Sequence, residues 1–127
     1  MSSRVRPIFR RLRALARERF PDFDVTLRMG DPAEFPELRA HAYCEDTAPP
    51  RITYAPKLEI AHRERIEGIL RHEIGHALAF TAHFPEHTER DTDEIARLVF
   101  GDVIRYDGDD VQTIGAGVTP RPRRLGL

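Results

Sequence analysis

Tryptophan is absent from this chain, and lysine and cysteine each occur once, as Lys57 and Cys44. A single cysteine excludes an internal disulfide framework and fits a reducing compartment, so stability must come from a packed core. No apolar run approaches the length that crosses a bilayer, which excludes a transmembrane helix. The first residues, Met1-Ser2-Ser3-Arg4, lack the apolar segment and small-residue site of a secretory leader. A cytoplasmic protein with no membrane partner is therefore expected. Neither charge dominates: the formal net charge is -1, which disfavours nucleic acid as a partner of the whole molecule.

What is present suits one small domain. The chain has 127 residues, enough for a single modest core, and no linker or internal repeat divides it. Residues 1–114 read as that domain, and residues 115–127 as an extended or disordered basic tail rich in glycine, proline and arginine. Val5, Ile8, Leu12 and Leu15 recur at helical spacing among arginines, which predicts an amphipathic helix over 4–19. Its basic face, like the tail arginines Arg121, Arg123 and Arg124, could meet a protein partner, although a charged helix face is more commonly just solvated. Phe23, Val25 and Leu27 alternate with polar residues as a strand does. Residues 41–44 form a second short strand candidate, and Arg51-Ile52-Thr53-Tyr54-Ala55 a third. Two helices follow, over 61–80 and 91–104. Ile66, Ile69, Leu70, Ile74, Ala77 and Leu78 line the first, and Ile95, Leu98, Val99 and Val103 the second. The expected fold class is α+β, with a small sheet of three or four strands.

The first of these helices carries His72-Glu73-Ile74-Gly75-His76. Two histidines four residues apart lie one turn apart on one face, where both imidazoles can bind one ion. Glu73 is turned about 100 degrees from that line, so it is free to act on a water at the metal's open position. The division of labour is that of metal-assisted hydrolysis. Neutral imidazoles hold zinc, zinc acidifies the water, and a nearby carboxylate takes the proton and returns it to the leaving amine. Gly75, between the histidines, leaves room for another backbone to approach.

This segment, with Ala77 and Leu78, resembles the active-site helix of the zincin metallopeptidases, and the β-rich stretch before it resembles their sheet. The resemblance implies a zinc-dependent peptidase with His72 and His76 as ligands and Glu73 as general base and acid. It also implies that Ile52, Thr53 and Tyr54 form an edge strand that pairs with extended substrate, which would be a peptide or protein. The metzincin continuation would need glycine at Ala79 and histidine at Ala82. Neither is present, and His83 is one place out of register.

A third zinc ligand should then come from a carboxylate on the next helix, as in the gluzincin and aspzincin branches. Glu89, Asp91, Asp93 and Glu94 are the candidates. Asp91 shares a helical face with Ile95, Leu98 and Asp102, which sets it at the inward start of the expected stripe. Asp93 is rotated about 160 degrees from Asp91, and Glu89 precedes or caps the helix. The run Glu89-Arg90-Asp91-Thr92-Asp93-Glu94-Ile95-Ala96 also resembles the second motif of ImmA/IrrE-type metallopeptidases. By position, that likeness implies Asp91 as the metal ligand and Asp93 as the partner of a metal-bound histidine, with aspartate where that family has glutamate.

Tyr106, Arg105, His83 and His87 are candidates to stabilise an oxyanion, and Cys44 reads as a small buried side chain. A second function class is kept beside the peptidase: a zinc-stabilised binding or assembly module that holds metal without turnover. Pure metal binding has no use for Glu73, which favours the enzyme.

Overall fold

The computed structural model describes residues 2–36, 41–82 and 86–101. It is α+β, with three α-helices and a three-stranded sheet among those residues. Helix α1 spans Val5–Arg19 and buries Val5, Ile8, Phe9, Leu12 and Ala16, the stripe that its apolar spacing predicts. Its arginines point outward, where Arg11 pairs with Glu67 at 2.5 Å and Arg13 with Asp24 at 3.6 Å. The first turn is held from far along the chain: the Glu59 carboxylate accepts from the backbone N–H groups of Arg4 at 2.7 Å and Val5 at 3.3 Å. These are orphan donors that a helix start must satisfy. The same carboxylate also accepts from the Tyr54 hydroxyl at 2.8 Å.

Strands β1 (Thr26–Met29), β2 (Ala42–Glu45) and β3 (Arg51–Tyr54) form the sheet in the order β1-β3-β2. β1 runs parallel to β3, and β2 antiparallel to it. Phe23 and Val25, read as part of the first strand, are core residues that lead into it. The expectation that Ile52, Thr53 and Tyr54 form an edge strand is corrected here. β3 is the central strand, with both backbone edges taken by neighbours, and all three side chains are buried. No extended peptide can pair with it. The reason is long-range pairing, with β1 hydrogen-bonded along one edge of β3 and β2 along the other.

Helix α2 spans Arg63–Thr81. Ile66, Ile69, Leu70, Ile74, Ala77 and Leu78 are all buried in the core, as their spacing predicts. Helix α3 spans Glu89–Phe100 and ends on Gly101, whose φ of 86° is the left-handed backbone that glycine allows at a helix end. It packs differently from expectation. Leu98, read as inward, is 68% exposed, while Thr92 and Ala96 are fully buried and Ile95 and Val99 are partly covered. The helix is rotated so that its small residues face α2. Val103, the second half of the predicted last turn and the tail lie outside the described residues. No helix among the described residues is long and apolar enough to cross a membrane.

Candidate metal centre

The site is set by how closely α3 lies against α2. A β-carbon built on Gly75 would fall 2.8 Å from the Thr92 carbonyl oxygen and 2.9 Å from Thr92 Cγ2, separations that real side chains do not tolerate. Glycine at 75 is therefore what lets the two helices touch between the histidines. With Thr92 and Ala96 packed at this crossing, the residues that flank them along α3 are Glu89 and Asp93, one turn apart. They face His72 and His76, also one turn apart on α2.

The contacts follow from that arrangement. His72 Nε2 lies 2.6 Å from Glu89 Oε1, and His76 Nε2 lies 3.4 Å from the same oxygen. His72 Nδ1 lies 3.0 Å from Asp93 Oδ1. His76 Nδ1 lies 2.7 Å from His87 Nε2 and 3.2 Å from Thr92 Oγ1. One donor atom each from His72, His76 and Glu89 falls within 4.8 Å of the other two.

Asp91, expected as the third ligand, is engaged elsewhere. Thr88 is the N-cap of α3, and Asp91 completes a capping box with it. Thr88 N–H donates to Asp91 Oδ2, and Asp91 N–H donates to Thr88 Oγ1, each at 3.0 Å. The carboxylate that lies near both histidines is Glu89. The difference has a physical source: apolar spacing runs the inward face through Asp91, Ile95 and Leu98, whereas the buried face runs through Thr92 and Ala96. A signal that finds Glu89 was present in Thr88-Glu89-Arg90-Asp91, the Ser/Thr-x-x-acid signature of a helix start. It sets the first helical residue at Glu89 and commits Asp91 to the cap. Asp93 does meet a histidine, as the second-motif resemblance implied. Glu94 pairs with Arg97 at 3.2 Å.

Thr92 and His87 were not singled out as partners of His76, and only the packing of the helix pair reveals them. Of the residues considered for an oxyanion, His87 lies behind His76, while His83, Arg105 and Tyr106 fall outside the described residues.

The electrostatics are those of a closely coupled acid–histidine cluster. Burial by itself would lower the His72 pKa, but hydrogen bonds to Asp93 and then Glu89 outweigh it and push the imidazolium up to about 10. Glu89 is held well below the usual carboxylate range, first by its hydrogen bond to His72 and then by that to His76. Glu73 is buried, at 7% exposure. Its charge acts both on His72 and on the Cys44 thiol of β2, which burial chiefly pushes up. Along α2 it is turned about 100 degrees from the line of His72 and His76.

Two imidazoles and one carboxylate are a donor set that suits zinc. Tetrahedral zinc with bonds of about 2.0–2.1 Å separates its ligand atoms by about 3.3 Å. The 3.4 Å between His76 Nε2 and Glu89 Oε1 matches that edge, and the 2.6 Å contact of His72 with Glu89 would open by less than an ångström's breadth to match it. With the whole group inside 4.8 Å, the three side chains could hold a metal ion.

No protein-family model, no curated protein and no solved structure matches the chain.

Proposed function

We propose that this protein is a zinc-dependent metallopeptidase of minimal zincin-like design, with His72, His76 and Glu89 holding the metal. The observation that carries the reading is the convergence of Glu89 on both histidines of the His72-Glu73-Ile74-Gly75-His76 helix. When bound there, zinc supplies Lewis acidity that polarises a carbonyl and acidifies a water. The chain's own residues do the rest. Asp93 accepts from His72 Nδ1 and so fixes that ring with Nε2 toward the ion. Glu73 receives the proton from the attacking water and delivers it to the departing amine. Its burial beside β2 supports that role, because a carboxylate screened from bulk water keeps a proton available for return.

The substrate class is a peptide or protein segment in extended form. With β3 internal, the sheet edges open to such a segment among the described residues are the outer edges of β1 and β2. A zinc-holding module without turnover uses the same three ligands, but metal holding alone has no use for Glu73.

The test pairs metal content with cleavage. Wild type should bind one zinc per chain and cleave members of an extended-peptide library, and Glu73→Gln should keep the zinc and lose cleavage. Zinc bound with no cleavage of peptide or protein substrates selects the binding module, and a wild type that binds no zinc overturns both.

A further inference from the structure

A histidine that binds a metal through one ring nitrogen must carry its proton on the other, and whatever accepts that proton fixes the ring. The two histidines differ in this respect. Behind His72 stands a carboxylate, Asp93, at 3.0 Å. Behind His76 stand His87 Nε2 at 2.7 Å and Thr92 Oγ1 at 3.2 Å. The Thr92 hydroxyl donates to the Thr88 carbonyl at 3.1 Å, so its lone pairs are left to accept. His87 is itself held by Phe80, whose ring meets it edge-on at 4.9 Å. Phe80 also stacks on His76 with centroids 6.4 Å apart. The three rings form one unit that joins the end of α2 to the approach of α3.

Resting on the metal-site reading above, we propose that His87 is a positioning residue. Its Nε2 accepts the Nδ1 proton of His76, and this aims His76 Nε2 at the metal position shared with Glu89. His87 touches neither the metal position nor the reacting atoms. It acts through His76, with Thr92 as a weaker second acceptor at a longer distance. The acceptor behind His76 is thus a ring nitrogen, and the one behind His72 a carboxylate.

The experiment compares His87→Phe, which keeps a ring and removes the acceptor, with His87→Gln, whose amide oxygen can stand where Nε2 stood. Zinc affinity is measured by competition with a chromophoric chelator. The coordination is read from the visible absorption of the cobalt(II)-loaded full chain, and metal-free thermal unfolding follows the fold. The expected result is an affinity about 10–100-fold weaker for His87→Phe, an altered cobalt spectrum, and recovery of both in His87→Gln. Thr92→Val should weaken binding less than His87→Phe. If His87→Phe binds zinc like wild type with an unchanged cobalt spectrum, the proposal is overturned and the metal site stands. Equal losses in His87→Phe and His87→Gln with lowered metal-free stability also overturn it, because His87 is then a packing residue. A wild type that binds neither ion overturns the metal site itself.

Discussion

Gly75 and Thr92 meet at the point where α2 and α3 cross, with the Thr92 carbonyl and methyl occupying the space where a side chain at 75 would begin. One α-carbon without a β-carbon thus determines whether the helix with the histidines reaches the helix with the carboxylates.

Gly75→Ala should therefore destabilise the fold although alanine is the better helix former. Overpacking of a tight contact costs about 1–3 kcal/mol, and the propensity gain offsets at most about 1 kcal/mol. The contact is partly to backbone, which has no rotamer to yield. Urea unfolding should show a lowered midpoint, and zinc affinity should fall together with it as α3 is pushed away.

Glu89 and Asp91 should separate cleanly by mutation. Glu89→Gln removes a direct charged ligand, and its loss of zinc affinity should exceed the roughly 10–100-fold typical of a ligand's hydrogen-bonding partner. Asp91→Ala removes half of the capping box and should cost about 0.5–2 kcal/mol of stability, with zinc affinity within a few-fold of wild type. Chelator competition and urea unfolding on the same samples measure both quantities. The reverse pattern would return the ligand role to Asp91.

The stability of the metal-free protein should fall as the solution is made alkaline. The His72 pKa is raised from 6.5 in the unfolded chain to about 10 in the fold. Its contribution is thus fully present below pH 6.5 and lost as pH rises through about 10. Glu89 is lowered from 4.5, so its contribution is present above pH 4.5 and lost as pH falls through the depressed value. Zinc binding has the opposite dependence, since the ion must displace the His72 proton. Affinity should climb across pH 6.5–10 while metal-free stability declines, and His72→Gln should flatten the metal-free profile. Unfolding curves at a series of pH values, with and without zinc, check both signs.

Glu59→Ala should loosen the N-terminal helix. It removes the carboxylate that accepts from the backbone N–H groups of Arg4 and Val5 and from the Tyr54 hydroxyl. A hydrogen bond to a charged group contributes about 1.5–3 kcal/mol. Hydrogen exchange should speed up in the first turn of α1 before it does in α2.

The helices and the paired histidines were legible from spacing alone, because α1 and α2 bury broad apolar stripes that repeat at 3.6 residues. α3 was legible as a helix but not in its rotation. Its contact with α2 is made by Thr92, Ala96 and Gly75, small residues that contribute little to an apolar pattern, while the apolar Leu98 faces solvent. That rotation brings Glu89 rather than Asp91 to both histidines. The sheet order was hidden for a different reason. Strand alternation speaks of faces, and which strand lies between two others depends on long-range pairing.

All the proposed donors and the groups behind them lie within residues 72–93, in a single helical hairpin. Bringing these groups together closes only a short loop, so the entropy lost is small. The ion can thus grip this segment before the sheet has formed, and also after the rest of the chain has come apart. Zinc should accordingly protect the native state by less than its affinity implies, because the denatured chain competes for the same ion. In return, folding in its presence should begin at the hairpin, with the strands and α1 joining a corner that is already made.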